Sequence, residues 1–373
     1  MFPFICIRGS AEERGFSYGS QASWLIEQAI DGYAQSFAER GFAWGDIVQI
    51  GVNFAATIRD FDRDMYLELC AIAEGAGRHL GEVVALNART ELLYGAGSTS
   101  AAAATDLSGE GCTGAIALPG ATANGHTLHG QNWDWRSESA DITIVLRIEP
   151  DDGPTVLTLV EAGTLARCGL NDAGIAVTGN FLKTASEQGR MGIPAPFIRR
   201  KVLMSNNMHD AMHAVICSER SFSINVMISD GQGEAVDFEA TPERLFWLRA
   251  ERDLLVHSNH FLSPAAQVAY DDHALHVTPD SLYRDARVRR LLEGRHGDLG
   301  ESDFIEAFAD RYGAPYAICR APVEGPGGDQ SATLATVVMD VTAGRLLVAK
   351  TPYAGAKFQA FDLGSLEPGQ DVA

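Results

Sequence analysis

The sequence predicts an α+β fold in which two mainly antiparallel sheets pack together and carry helices on their outer faces. Residues 1 to about 97 show helical spacing of apolar side chains, and residues 112 to about 180 alternate as strands do. The rest of the chain returns to blocks of short strands and helix pairs, a pattern that suits packed sheets with external helices.

Taken in chain order, Gln21 to Phe37 and Met65 to Ile72 repeat apolar residues three and four apart, and Glu82 to Leu93 continues the pattern. Residues 98 to 110 are small and polar, without period, and read as a flexible loop. Cys112 to Leu118 opens the strand region. Thr127 to Trp133, Ile142 to Ile148 and Val156 to Val160 follow, with turn signals at Asp151-Asp152-Gly153-Pro154 and Asn171-Asp172-Ala173-Gly174. Pro196 to Met204 and His209 to Cys217 read as helices. Ile224 to Ile228, Ala235 to Glu239, Phe246 to Leu248 and Leu254 to His257 read as strands. Pro279 to Glu293 is a helix with Arg284, Arg287 and Arg290 on one face, and Glu301 to Arg311 is another. Leu334 to Asp340 and Arg345 to Ala349 close the chain as a hairpin.

Composition sets limits on function. A hydrophobic content of 46% supports a packed core, and a net charge of −20 argues against nucleic acid and anionic membranes as partners. No apolar run is long enough to span a bilayer and no leader is evident, so a cytoplasmic location is expected. The six cysteines are scattered without a Cys-x-x-Cys pair and read as reduced thiols. His209 and His213 have helical ligand spacing, but His-Glu-x-x-His is absent and the other histidine pairs fall in loops or strands. No metal and no cofactor are expected. A Ser-His-Asp hydrolase is the weaker catalytic reading.

The chemistry concentrates at Gly111-Cys112-Thr113. Cleavage before Cys112 would place a thiol and an α-amine on one residue. A free α-amine has a reference pKa of about 8, so it can serve as the thiol's own base near neutral pH. Gly111 leaves its carbonyl open to attack, and an acyl shift from nitrogen to sulfur followed by water would release residues 1–111. A buried structural cysteine at the start of a strand is the competing reading.

Gly111-Cys112-Thr113, followed by Gly130-Gln131-Asn132-Trp133-Asp134 and later by His257-Ser258-Asn259-His260-Phe261, resembles the isopenicillin N acyltransferase-like branch of the N-terminal nucleophile hydrolases. Gly9-Ser10-Ala11-Glu12-Glu13-Arg14-Gly15, Ala73-Glu74-Gly75-Ala76-Gly77, Asn87-Ala88-Arg89-Thr90-Glu91, Ser281-Leu282-Tyr283-Arg284 and Ile318-Cys319-Arg320 extend the resemblance over nearly the whole chain. It implies a four-layer αββα sandwich. It also implies two pieces that form one domain, a helical segment 1–111 that stays bound and a catalytic part 112–373 that begins with Cys112.

The same resemblance implies the site. Cys112 is the nucleophile. Asp134 is an active-site carboxylate that would hold the α-ammonium or orient the cleavage; by itself it reads as a strand-end aspartate. Asn259 is an oxyanion-hole donor, against a turn asparagine. Arg320 would bind a substrate carboxylate, pair with Asp134 or stabilise developing charge. Gly111 and Ser223 would assist processing, with Ser221 as the alternative to Ser223. Trp133 and Trp135 line an acyl pocket or pack in the core. Implied substrates are small N-acyl compounds. Amide hydrolysis is the preferred activity, acyl-coenzyme A-dependent transfer the second, and a non-catalytic, unprocessed chain the third. A homo-oligomer of such two-piece protomers stays open.

Overall fold

The computed structural model describes residues 1–94, 111–184, 187, 192–324, 330–355, 357–367 and 369, so the loop read at 98 to 110 lies outside the described residues. The first sheet has eight strands, in the order β1 (Phe4–Gly9), β4 (Thr143–Pro150), β5 (Val156–Glu161), β6 (Cys168–Asn171), β7 (Ile175–Thr178), β8 (Ile224–Asp230), β9 (Ala235–Ala240) and β10 (Leu245–Leu248). Its neighbours are antiparallel except β1, which runs parallel to β4. The second sheet runs β11 (Leu254–His257), β2 (Thr113–Ala117), β3 (Leu128–Arg136), β13 (Gln330–Asp340), β14 (Arg345–Lys350), β15 (Gln359–Asp362), with β12 (Val323–Glu324) against β13.

Helices close both outer faces. The N-terminal set is α1 (Ala11–Gln21), α2 (Ser23–Glu39), α3 (Trp44–Phe61), α4 (Arg63–Ala76), α5 (Leu80–Asn87) and α6 (Arg89–Tyr94). Together with α7 (Ala195–Leu203) and α8 (Met208–Ile216) it shares the larger core with the first sheet. On the second sheet, Val288 and Leu292 of α10 (Ser281–Glu293) and Phe304 and Phe308 of α11 (Glu301–Phe308) pack on Ala115, Ala117, Leu128 and Val338. The short α9 (Pro264–Ala269) packs Ala266 against Leu182 and Phe261. This is the four-layer order of helices, sheet, sheet, helices.

Local chemistry sets the helix ends. Ser10 caps α1 with a reciprocal Glu13 contact. Asp62 accepts from the backbone of Asp64 and Met65 to start α4, and Gly77 ends it in the left-handed conformation.

Three readings need correction. The N-terminal region is not wholly helical, because Phe4–Gly9 pairs with β4 at the sheet edge, where the ladder supplies its backbone hydrogen bonds. Helix α3 is absent from the sequence reading. In α10 the inward stripe is Ser281, Arg284, Val288 and Leu292, whereas Arg287 is half-buried and Arg290 exposed.

The N-terminal helices are part of the core. The Tyr33 hydroxyl donates to Glu161 Oε1 at 2.6 Å and accepts from Trp135 Nε1 at 2.8 Å and Arg89 Nε at 2.9 Å. The Tyr18 hydroxyl bridges the loop after β5, accepting from the Gly163 amide and donating to the Thr164 carbonyl.

Strand β3 positions the site through its two-residue period. Gly130, Asn132 and Asp134 face the α10–α11 layer, where Asn132 donates to the carbonyls of Phe308 and Ile318. His129, Gln131, Trp133 and Trp135 face the first sheet. His129 bonds Ser229 and Thr178, and Gln131 donates to Gly179 and Asn180. Burial pushes the His129 imidazole down to about 3, so it bridges the sheets as a neutral ring. Satisfied polar contacts of this kind fix one register between the sheets more strictly than apolar packing does.

Candidate active site

Strand register brings the proposed residues to one end of the second sheet. β2 and β3 pair Thr113 with Asn132, so Gly111 stands level with Asp134 when the register is extended. β11 pairs His257 with Gly114, which sets Asn259 level with Cys112 just beyond the strand. β13 pairs Thr333 with Asp134, next to a bulge between Thr333 and Ala335.

The peptide Gly111-Cys112 is held from the α10 side by Arg284, which is fully buried. Its Nη1 donates to the Gly111 carbonyl at 2.6 Å, the Cys112 carbonyl at 2.8 Å and Thr113 Oγ1 at 2.8 Å. Nη2 donates to Asn259 Oδ1 at 3.0 Å, and Nε donates to Asp280 Oδ2 at 2.8 Å. The same Asp280 oxygen accepts from Arg320 Nη2 at 2.8 Å, so one carboxylate clamps two guanidinium groups.

Asp134 completes this layer. Its Oδ1 accepts from Thr333 Oγ1 at 2.7 Å, while Arg320 Nε lies 3.6 Å from Oδ2. Oδ2 is buried and makes no hydrogen bond. Burial raises the Asp134 carboxyl to about 6, against the opposing pull of Arg320 and Arg284. A Cβ on Gly111 would stand 2.7 Å from Asp134 Oδ2 and 2.8 Å from Arg320 Nη1. The glycine is required there by space.

The Cys112 side chain is fully buried and turns toward the first sheet. Arg167 Nη2 donates to its Sγ at 3.2 Å, and the Asp134 carbonyl accepts from the thiol at 3.7 Å. Beyond Arg167 lies a narrow recess of about 40 Å³, lined by Trp133, Trp135, Phe181, Arg89, Arg167 and Arg199 among others. Arg167 stacks 5.0 Å from the Trp133 ring centre.

Asn259 is fully buried and is fixed from three sides. Its amide N–H donates to Ser281 Oγ at 2.7 Å, its Nδ2 donates to the Phe181 carbonyl at 3.0 Å, and its Oδ1 accepts from Arg284. Behind it, Glu239 Oε1 receives His257 Nε2 at 3.0 Å and the amides of Leu262 and Ser263. Asp237 and Glu239 raise His257 to about 9 against its burial, so this ring stays charged at neutral pH. Glu239, assigned no chemistry from sequence, holds the loop that carries Asn259.

Cys112, Gly111, Asp134, Asn259 and Arg320 therefore meet around one peptide bond, and both Trp133 and Trp135 reach the recess. Ser221 and Ser223 are buried ahead of β8, and among the described residues neither hydroxyl bonds to Gly111 or Cys112. Sequence reasoning missed Arg284, Asp280, Arg167 and Arg199 as site residues. Arg284 was visible within Ser-Leu-Tyr-Arg, but helical spacing grouped it with two arginines that face elsewhere. It also passed over a Gly-x-Ser-x-Gly pattern, Gly15-Phe16-Ser17-Tyr18-Gly19. That pattern lies inside α1 and not on a strand-to-helix turn, so it is no nucleophile elbow. Among the described residues no three His, Cys, Asp or Glu side chains converge as metal ligands, and no helix is long and apolar enough to cross a membrane.

The sequence model of one family, acyl-coenzyme A:6-aminopenicillanic acid acyl-transferase, matches residues 121–349. The 40 kDa form of acyl-coenzyme A:6-aminopenicillanic-acid-acyltransferase from Emericella nidulans is 31% identical over 348 residues, covering 90% of this chain and 89% of that protein. Among solved structures, a variant of conjugated bile acid hydrolase from Clostridium perfringens superposes with a TM-score of 0.48 at 16% identity, over 70% of this chain and 96% of that one. Penicillin V acylase from Agrobacterium tumefaciens gives 0.46 at 13% identity, over 68% and 87%.

Proposed function

The chain belongs to the acyl-coenzyme A:6-aminopenicillanic acid acyltransferase family, and from that premise we propose a self-processing N-terminal cysteine enzyme that cleaves the amide bond of a small N-acyl substrate. The observation that carries the proposal is the Gly111-Cys112 peptide, gripped at its carbonyl by Arg284 and flanked by the Cys112 thiol and by Asp134 Oδ2, which is ion-paired with Arg320 but makes no hydrogen bond.

Processing begins when Cys112 Sγ attacks the Gly111 carbonyl carbon. The carbonyl oxygen gains negative charge where Arg284 Nη1 already donates to it, which is how a preorganised donor lowers such a barrier. The thiol proton passes to the departing α-nitrogen, the C–N bond breaks and a thioester remains. Water attacks that thioester, Gly111 leaves as a carboxylate and the thiol is restored. The new α-ammonium emerges beside Asp134, whose Oδ2, ion-paired with Arg320 but without a hydrogen bond, then gains a donor.

Turnover repeats the chemistry with a foreign amide. The neutral α-amine takes the thiol proton, Sγ attacks the substrate carbonyl, and the same proton goes to the leaving amine. Water then frees the acid. Residues 1–111 stay bound, because Tyr33, Arg89 and Tyr18 tie them into the core and Arg89 forms part of the recess wall.

Brief mixing with an N-acyl amide, then denatured mass analysis, tests the reading. An acyl adduct on a piece beginning at Cys112 is expected. An intact chain that releases product without an adduct would overturn it. Acyl transfer is the second reading, favoured by the names of the matched family and of the Emericella nidulans relative. Offering an amine acceptor with acyl-coenzyme A decides between them: hydrolysis predicts more free acid than N-acyl product.

A further inference from the structure

Gln131 is fully buried on β3, and both polar atoms of its side chain are engaged. Its Oε1 accepts from Arg167 Nη1 at 3.3 Å, and its Nε2 donates to the Gly179 carbonyl at 2.8 Å and to Asn180 Oδ1 at 2.7 Å. The contacts continue in one line across the first sheet. Asn180 Nδ2 donates to Asn225 Oδ1 at 2.8 Å and to the His257 carbonyl at 3.2 Å, and Asn225 Nδ2 donates to Asp237 Oδ1. Asn180, Asn225 and Asp237 are as fully buried as Gln131. At the other end Arg167 Nη1 also reaches the Gly179 carbonyl at 3.0 Å, and its Nη2 meets Cys112 Sγ at 3.2 Å. The line joins Asp237 on β9 to the nucleophile.

A side-chain amide has a donor end and an acceptor end, so a chain of amides has a direction. Here the direction is fixed by groups that cannot change role: a guanidinium only donates, and the carbonyls of Gly179 and His257 only accept. Reversing Gln131 would set its N–H groups against Arg167 and its oxygen against the Gly179 carbonyl. A buried polar network with every member satisfied holds one arrangement. Arg167 needs such a hold. The Arg199 guanidinium lies near enough to repel it, and the Trp133 ring 5.0 Å away offers it contact but no hydrogen-bond acceptor. From this geometry we infer that Gln131 is a positioning residue: fixed by Asn180, Asn225 and Asp237 behind it, it aims Arg167 at the Cys112 sulfur. The inference deepens the N-terminal cysteine reading and rests on it for the role of the sulfur, but the arrangement itself stands in the uncut chain.

The first test is structural and uses the uncut Cys112→Ala chain, in which neither processing nor turnover can occur. Crystal structures of that chain, alone and with Gln131→Met added, locate the Arg167 guanidinium. With Gln131 present it should keep its place although the sulfur is gone. With Gln131→Met it should turn away from residue 112, because an acceptor is lost while Arg199 still repels it. An Arg167 that leaves in Cys112→Ala alone, or that stays put in Gln131→Met, would overturn the inference even if the protein proves to be an active amidase. Conversely, an Arg167 displaced as expected in a protein without amidase activity would leave the positioning standing and remove the enzymatic reading.

The second test is kinetic and uses the cut protein with an N-acyl amide. Gln131→Met should lower kcat by about tenfold or more and leave KM within about twofold, the split expected when alignment of the nucleophile is lost and binding is kept. Asp237→Leu takes the last acceptor from the chain and should lower kcat by about tenfold, the scale of one buried hydrogen bond left unmade. Asp237→Asn keeps an oxygen for Asn225 and should restore most of the rate. Side chains that merely packed would lower the melting temperature when replaced and leave kcat of the folded protein unchanged. That result, or an Asp237→Asn rate no better than that of Asp237→Leu, contradicts positioning through this chain. The Asp237 pair carries the kinetic test should Gln131→Met fail to fold.

Discussion

The two flanks of Cys112 hold arginines in opposite conditions. On the α10 side Arg284 is saturated: five hydrogen bonds tie it to Gly111, Cys112, Thr113, Asn259 and Asp280. On the recess side Arg199 is nearly as deeply buried and its Nε has no partner. The same side-chain type is thus finished by the chain itself on one flank and left open on the other. The contrast suggests a division of labour, with the saturated flank serving the chain's own peptide bond and the open flank serving a foreign molecule.

The strongest way to break that division is to remove what both flanks share. Cys112→Ala should give a full-length chain with no amidase activity, read by gel and by product assay; normal cutting would end the account. Next in size, Arg284→Met should slow self-cleavage by about 10²- to 10³-fold, the range for losing one oxyanion donor. Uncut, folded chain should accumulate, with Cys112→Ala as the folded reference by circular dichroism. A normal cutting rate would show that Arg284 only packs.

Asn259→Ala sharpens the comparison, since Asn259 touches Arg284 yet lies level with Cys112. It should cut into two pieces and then lose turnover by about 10²-fold. Unchanged kinetics would take it out of the oxyanion site. The smallest effect belongs to neither flank. Tyr33→Phe removes a hydroxyl shared by Glu161, Trp135 and Arg89, so unfolding by denaturant should show a loss of ~1–3 kcal/mol. Its cutting rate should stay normal.

Much of this was legible in the sequence, for definable reasons. The alternation in Thr127 to Trp133 places Asn132 and Asp134 on one face and Gln131 and Trp133 on the other, whatever the neighbours are. Cys112, Asp134, Asn259 and Arg320 follow from motif order. What pairs with what does not follow, because strand register is a tertiary property. Arg284 is hidden by its helix, where a narrow inward stripe of Val288 and Leu292 carries it alongside exposed arginines. Arg199 is hidden by its helix: within Pro196 to Met204 nothing in the cationic run Arg199-Arg200-Lys201 marks the first two as buried. The edge strand β1 is missed because six residues ahead of a long helical region carry too short a pattern to announce a sheet.

The most direct measurement is the denatured mass of freshly purified protein, with N-terminal sequencing. The account predicts two pieces in place of one 40.0 kDa chain, the larger beginning Cys-Thr-Gly-Ala. A single stable chain of 40.0 kDa that nevertheless turns over an N-acyl amide would contradict it.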